Sequence, residues 1–213
     1  MSGEPGNRGS SAADLGSPAP DTVVIRGTRC TLRAFRSDEL DTLIAALHSV
    51  GEDPAGFAGP RETVGDEREE LRRRIAASGR LHDGWLEFAI EADGRLVGDV
   101  QGRGGRRMLP PGVYELGIEL YDPASRGKGI GSEAVTLITT HLFAKLGAGR
   151  VQATTDVTNV PMRAVLARLG FREEGVLRDF MPSRDDPAGA RNDYVLAAVT
   201  AADWAGLRGD TRP

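Results

Sequence analysis

The segment that decides the fold is Tyr121-Asp122-Pro123-Ala124-Ser125-Arg126-Gly127-Lys128-Gly129-Ile130-Gly131, in which three glycines occupy alternate positions. An apolar stretch, Val113 to Leu120, leads into it, and a helical pattern, Ser132 to Leu146, follows it. A glycine-rich turn between a strand and a helix presents backbone N–H groups at the positive end of a helix dipole, which favours a bound phosphate. Glycine also lets a phosphate approach the backbone where a Cβ would obstruct it. The segment therefore predicts a phosphate-binding loop, to which Arg126 and Lys128 add positive charge.

Three families place glycines in such a turn, and the spacing separates them. A P-loop requires Gly-x-x-x-x-Gly-Lys followed by Ser or Thr, whereas Lys128 is followed by Gly129. The dinucleotide fingerprint leaves Ser132 where a third Gly or Ala is required, although Asp156 could act as its ribose-binding acid, so this hypothesis stays open. A third pattern, Arg/Gln-x-x-Gly-x-Gly/Ala, is met at every defined position, with Arg126 first and two glycines last.

A second block, Asn159 to Phe171, opens with Asn and closes with Leu-Gly-Phe. An Asn-capped helix that ends at a Gly needs no ligand to explain it. That interpretation does not explain why the helix follows a strand, Arg150 to Asp156, at the right distance after the glycine loop. The two blocks together resemble the signatures of the GNAT superfamily of acetyl-CoA-dependent N-acetyltransferases, over about residues 22–207. The stretches Ile25 to Arg33 and Arg191 to Leu196 are similar to its RimJ/RimL-type branch, which includes protein N-terminal alanine acetyltransferases.

The order of the predicted elements is that of an α/β fold. A hairpin is predicted around Asp93-Gly94, and Val151 to Thr155 is predicted to pair in parallel with Val113 to Leu120 through a crossover helix, Glu133 to Leu146. The resemblance implies the GNAT fold: a mixed central sheet of six to seven strands with a splayed parallel pair, flanked by helices on both faces. Earlier in the chain, the patterns predict a helix from Ser37 through Val50, a loop, and a charged helix from Asp66 to Ala77.

The chain of 213 residues is predicted to form one domain. Residues 1–20, rich in Gly, Ser, Pro and Ala, predict a disordered tail, residues 21–208 form the predicted GNAT domain, and residues 209–213 a C-terminal tail. A net charge of −4 argues against a general nucleic-acid binder, and the RGG-like stretch Gln101 to Arg107 is interpreted as a solvated loop.

Composition also bounds the location and the chemistry of the protein. No apolar run is long enough to span a bilayer, and Met1 to Pro20 has no hydrophobic signal-peptide core. The single cysteine, Cys30, cannot form an internal disulfide, which is consistent with a reducing compartment. We therefore expect a cytoplasmic protein with no membrane partner. The three histidines are isolated from one another, so no metal site is predicted.

The resemblance implies where acetyl-CoA, the co-substrate, would lie. Its pantetheine would occupy a gap between the two parallel strands, the predicted fourth (Val113 to Leu120) and fifth (Arg150 to Asp156), and bond the free edge of the fourth strand at Ile118 and Leu120. Asn159 would meet it from the other side of the cleft. The diphosphate would bind the loop, whose residues are Arg126, Gly127, Lys128, Gly129, Ile130 and Gly131.

The reaction needs a group that removes a proton, because most amines are protonated at neutral pH. Glu119 is the first candidate for this base, since it is closer to the glycine loop, and Glu115, four residues away on the same predicted strand face, is the second. Both are equally compatible with ordinary solvent-facing positions. Asp156 is a third option. The sequence departs from its relatives at Leu166, where many GNAT enzymes have a Tyr acid, and at Met162, where the RimL-like branch often has Ser.

The leading hypothesis is an N-acetyltransferase that moves the acetyl group to a primary amine by direct attack in a ternary complex. The acceptor is a protein N-terminus or a small-molecule amine, and monomers or homodimers are usual in the family. Transfer of a different acyl group is one alternative. A non-catalytic acyl-CoA-binding or sensor domain is a second, suggested by Leu166 and Met162. A nucleotide-dependent oxidoreductase is a third.

Overall fold

The computed structural model describes residues 22–52, 67–105, 109–183, 186, 189–207 and 209. The predicted N-terminal tail, almost all of the predicted C-terminal tail, most of the loop predicted after the first helix and part of the RGG-like stretch lie outside these residues.

One mixed sheet organises the described residues, which confirms the predicted α/β class. Its eight strands, one more than the upper end of the predicted range, lie in the order β1-β2-β3-β4-β5-β6-β8-β7. The two strands at the β1 edge are short, two and three residues long. The strands are β1 (Ile25–Arg26), β2 (Thr31–Arg33), β3 (Trp85–Ala92), β4 (Arg95–Gly104), β5 (Val113–Leu120), β6 (Arg150–Asp156), β7 (Arg172–Pro182) and β8 (Arg191–Thr200).

Helices cover both faces of this sheet, as predicted. Phe88 and Ala89 are neighbours on β3 and therefore point to opposite faces. Phe88 packs in the main core with α3, α4 and α5, whereas Ala89 packs in a second cluster with α1 and α2. The helices are α1 (Leu40–Glu52), α2 (Glu67–Ala77), α3 (Ile130–Leu146), α4 (Val160–Arg168) and α5 (Ala201–Leu207). Among the described residues, no helix is both long and apolar enough to cross a membrane.

Among the described strands one pair is parallel, β5 with β6, and it separates part of the way along its length. Its ladder runs from Val113 opposite Arg150 to Leu116 opposite Ala153 and then stops. Beyond that point β5 stays paired with β4 through Leu120, and β6 stays paired with β8 through Asp156. The parallel pairing and the splay are thus both confirmed, and a gap opens between the C-terminal halves of the two strands.

Candidate active site

A large cleft runs through this gap and continues onto one face of the sheet. Residues 115–120 of β5 form one wall, and Asn159 with the first turn of α4 lies on the β6 side. The glycine loop closes one end, where Gly127, Gly129 and Gly131 all line the cleft. The structure therefore brings the predicted loop, the predicted strand edge and the predicted helix opening to one place.

The free edge of β5 is set by alternation along the strand. Tyr121 N–H donates to the Val97 carbonyl at 3.0 Å, toward β4. The Glu119 carbonyl also faces β4, because a Cβ built on Gly98 would lie 2.2 Å from it. Since backbone groups alternate between the two edges of a strand, those of Ile118 and Leu120 point toward the gap. These are the two residues that the sequence suggested for pantetheine.

The glycine loop leaves the start of α3 without a side-chain cap. Asp122 starts a short 3-10 turn by accepting a hydrogen bond from Ala124 N at 2.8 Å, and the chain then passes through Gly127 and Gly129. Their φ angles, +73° and +81°, lie in the left-handed region that glycine enters at no steric cost. Gly129 is the N-cap of α3 and offers no acceptor to the first amides of the helix. An anion could supply the missing acceptor.

The charged and apolar side chains of the loop do not all face the cleft. Arg126 lines it, but its Nη2 also donates to the Leu120 carbonyl at 3.3 Å and so ties the loop to the end of β5. Lys128 is exposed and lies outside the cleft lining, and the Ile130 side chain is buried in the main core. Lys128 and Ile130 could therefore contribute to phosphate binding through their backbone amides, and Lys128 also through its charge at a distance.

Two arginines that the sequence did not single out line the same end of the cleft, Arg29 and Arg168. Arg168 approaches Ser132 on α3, with Nη2 3.4 Å from the hydroxyl oxygen. Arg29 lies against Gly129, and a Cβ built on that glycine would be 3.2 Å from the Arg29 Nε. Neither residue is near the loop in sequence, so spacing along the chain could not reveal them.

The Asn159 side chain caps the N-terminus of α4. Its Oδ1 accepts a hydrogen bond from Met162 N at 3.2 Å, and its Nδ2 donates to the Thr155 hydroxyl at 3.0 Å. The side chain is therefore fixed at the wall of the cleft. Leu166, on the same helix, is 2 % exposed and packs in the main core, so the position of the usual family acid faces away from solvent.

Both candidate bases, Glu119 and Glu115, line the cleft. Glu115 is held in place: its Oε1 accepts from Arg103 Nη2 at 2.9 Å and its Oε2 from Gln152 Nε2 at 3.2 Å. Glu119 lies next to the last residue of β5, and so is closer along the chain to the loop than Glu115 is. Asp156, the third candidate, is buried, lies outside the cleft lining, and accepts hydrogen bonds from Thr158 and Asn192. Its contacts are those of a residue that fixes the turn before α4.

A buried ionic network forms the floor of the cleft beside Glu119. Arg74 of α2 donates to Glu87 at 2.6 Å and lies 3.2 Å from Asp99, the residue directly opposite Glu119 on β4. The Tyr121 hydroxyl donates to Asp99 at 2.6 Å. Burial and the Asp99 carboxylate raise the pKa of Tyr121 well above its ordinary value, so it stays protonated as a donor. The sequence analysis missed this network, whose members come from α2, β3, β4 and the residue that follows β5.

Comparisons with known proteins agree with this geometry. Residues 29–172 match the family model described as "Acetyltransferase (GNAT) domain". An uncharacterized N-acetyltransferase of Bacillus licheniformis, p20, is 31% identical over 93 residues, 44% of this chain and 47% of the relative. The chain thus spans about half the length of the first curated relatives it matches. An SPbeta prophage-derived uncharacterized N-acetyltransferase of Bacillus subtilis, YokL, is 23% identical over 84% of this chain and 93% of the relative.

Solved structures share the whole fold. The ribosomal-protein-S5-alanine acetyltransferase of Vibrio fischeri superposes with a TM-score of 0.70 at 22% identity, over 85% of this chain and 98% of that chain. Mycobacterium smegmatis RimJ in complex with CoA-disulfide gives 0.63 at 23% identity, over 89% and 94%. These similarities show that the fold is the one found in RimJ-type and ribosomal-protein acetyltransferases.

Proposed function

This chain belongs to the GNAT acetyltransferase family, and from that premise we propose that it transfers the acetyl group of acetyl-CoA to a primary amine by direct attack in a ternary complex. The observation that carries the proposal is the end of the β5–β6 ladder at Leu116 and Ala153, beside an uncapped helix start. A splayed strand pair provides a free edge for amide groups, and the helix start provides N–H donors for a diphosphate.

The residues present fit coenzyme A at each of these points. A Cβ built on Gly127 would have nothing within 4 Å, so the loop is open where a ligand would approach. The gap-facing backbone groups of Ile118 and Leu120 can bond the pantetheine amides as a neighbouring strand would. Gly129 and Gly131 line the cleft at the first turn of α3, where the diphosphate would bind, and Asn159 lines it on the β6 side, where the thiol end would lie. Acetyl-CoA, when bound, supplies an acetyl group activated as a thioester.

In this proposal Glu119 accepts the proton that the amine must lose, directly or through a water. Its partner across the sheet, Asp99, is already bonded to Tyr121 and Arg74. Glu115, which accepts hydrogen bonds from Arg103 and Gln152, is the second choice, because it lies four residues farther along β5 from the glycine loop. A positioned carboxylate of this kind contributes roughly a hundredfold or more to the rate.

The departing thiolate receives no proton from the position that family members commonly use, since Leu166 is buried in the core. A thiolate is a tolerable leaving group, so water or no acid at all can suffice. The same observation favours the second candidate function, a non-catalytic acyl-CoA-binding domain. Transfer of an acyl group other than acetyl also remains compatible with the cleft.

A turnover assay separates these candidates. The pure protein is incubated with acetyl-CoA and a panel of amines that includes alanine-initiated peptides, amino sugars and polyamines. Free thiol is followed over time, and acetylated product is identified by mass. Product on at least one amine supports the proposal, whereas tight CoA binding with no product on any amine supports the non-catalytic domain. Binding of NAD(P)H in place of CoA would contradict both functions.

A further inference from the structure

The turn between β1 and β2 is fastened to the first turn of α3 by one carboxylate. Glu133 accepts four hydrogen bonds from it: from Thr28 N at 2.9 Å, from the Thr28 hydroxyl at 2.6 Å, from Arg29 N at 2.6 Å and from Cys30 N at 2.8 Å. A Cβ built on Gly27 would lie 2.6 Å from the same carboxylate, so the turn approaches it as closely as its backbone allows. Partial burial acts to raise the pKa of Glu133, but the hydrogen bonds outweigh it and lower that pKa to about 2.

This attachment places the side chain of Arg29 across the phosphate loop. A Cβ built on Gly129 would lie 3.2 Å from the Arg29 Nε and 3.3 Å from its Cδ. The side chain is exposed and lines the cleft together with the three loop glycines. Two features therefore favour glycine at position 129: its φ is +81°, and a Cβ there would crowd the Arg29 side chain.

Within the described part of the chain, the Arg29 guanidinium has neither an ion-pair nor a hydrogen-bond partner. By contrast, two other arginines that line the cleft are paired with acids, Arg74 with Glu87 and Arg103 with Glu115. Where Arg29 lies against the start of α3, the N-cap is Gly129, so the first backbone N–H groups of the helix also have no side-chain acceptor from the cap. Two sets of donors that face each other without an acceptor would both be satisfied by an anion between them.

We propose that Arg29 binds a phosphate of coenzyme A and that Glu133 is the positioning residue that holds Arg29 over the loop. The inference rests on the proposed function, because it takes the cleft to be the CoA site. The diphosphate and the 3′-phosphate of the ribose share the chemistry that a guanidinium recognises. Arg29 would then contribute to affinity for the phosphorylated part of the molecule and not to affinity for pantetheine.

Calorimetric titration with CoA, dephospho-CoA and pantetheine tests this directly. Arg29→Met is expected to weaken CoA binding about tenfold, the equivalent of about 1.4 kcal/mol. Arg29→Lys should retain much of the affinity, and it guards against a folding defect in the first variant. Arg26→Met is the matched control, since Arg26 is exposed on the same hairpin but lies outside the cleft lining. It should bind CoA within about twofold of the wild type.

The three ligands distinguish the two phosphates. If Arg29→Met weakens the binding of dephospho-CoA as much as that of CoA, the arginine binds the diphosphate. If the variant weakens the binding of CoA but not that of dephospho-CoA, the arginine binds the 3′-phosphate. Pantetheine affinity should not change in either case. Unchanged CoA affinity in Arg29→Met, or an equal loss with pantetheine or in Arg26→Met, overturns the inference while leaving the proposed function intact. If the wild-type protein does not bind CoA, the proposed function fails and the inference fails with it.

A double-mutant cycle tests the positioning role of Glu133. Glu133→Gln should lower CoA affinity in the wild-type background and have little further effect when Arg29 is already Met, since both changes remove the same contact. Equal losses in the two backgrounds would mean that Glu133 acts on the fold alone.

Discussion

Replacement of Glu133 by Gln should destabilise the protein in a pH-dependent way. The glutamine amide is nearly the same size as the carboxylate, but its NH₂ group replaces one of the two oxygens. Backbone N–H groups that bond to that oxygen in the wild type would face another donor in the variant. The pKa of Glu133 lies at about 2 instead of 4.5. At 1.36 kcal/mol for each pKa unit, this difference sets an upper bound of about 3.4 kcal/mol on the stabilisation by the charged form. Because the side chain is partly exposed to solvent, we expect about 1–2 kcal/mol at neutral pH.

The pH dependence follows from the sign of the change. A carboxylate whose pKa is lowered by folding stabilises the native state above its unfolded value, here about 4.5, and loses this effect as the pH falls toward about 2. The difference in unfolding free energy between wild type and Glu133→Gln should therefore be constant near neutrality and shrink through that window.

Urea unfolding of both proteins, at neutral pH and at several values between about 4.5 and 2, measures this difference. Glu174→Gln is the control, because Glu174 is an exposed carboxylate whose bonds to Arg150, at 2.8 and 2.6 Å, involve a single partner. Its effect should stay below about 1 kcal/mol. Equal unfolding free energies of wild type and Glu133→Gln at neutral pH would refute the reasoning, and so would a difference that does not change on acidification.

Three further outcomes are expected from other parts of the site. Gly170→Ala should lower the unfolding free energy by about 1–2 kcal/mol, because φ is +84° there, in the left-handed region that a residue with a Cβ enters at a cost. The exposed Leu207 side chain, whose Cδ1 would lie 2.1 Å from the new Cβ, can move aside. Thermal unfolding measures the loss, and an unchanged midpoint would contradict the backbone strain. Asn159→Ala should lower the unfolding free energy by about 1 kcal/mol, because the cap of α4 is lost. A loss of CoA affinity in titration would show in addition that the side chain touches the cofactor. Glu119→Gln should lower turnover roughly a hundredfold where amine deprotonation limits the rate, with CoA affinity unchanged. Glu115→Gln should have a smaller effect, and the reverse order in steady-state kinetics would reassign the base.

Most of the fold could be predicted because its signals are local. The apolar run of β5 and the Arg150 to Asp156 strand have the predicted bounds, since each is closed by a turn residue or a glycine loop. The hairpin around Asp93-Gly94 also forms as predicted, with β3 paired to β4. The start of α3 was placed too late, at Glu133 instead of Ile130, because glycine at position 131 weakens the helical pattern. The number of strands was underestimated by one.

In the candidate site, too, local features could be predicted and contacts between distant parts of the chain could not. Residues that act within one turn or one strand, such as the loop glycines and Asn159, are visible as a motif. Arg29 and Glu133 are separated by 104 positions and meet only because β2 lies at the far side of β3 while α3 crosses over the sheet. No spacing rule connects them. The network around Asp99 is hidden for the same reason, since Arg74 reaches it from α2, a helix distant in sequence that packs on the face of the sheet that carries Asp99.

Strand β5 can serve both halves of the proposed reaction because its backbone and its side chains point in perpendicular directions. The backbone groups of Ile118 and Leu120 lie in the plane of the sheet and face the gap, whereas the Glu119 side chain stands on the face that carries Asp99. A slip of one residue against β4 would exchange these roles and turn the acid toward the apolar core. Gly98 opposes such a slip. The Glu119 carbonyl lies 2.2 Å from where a Cβ on residue 98 would be, so it packs directly against the glycine, and a residue with a side chain would not fit in its place. The distance between the proposed base and the cofactor edge is therefore fixed by strand pairing, and loop variation around the cleft can alter the acceptor without disturbing it.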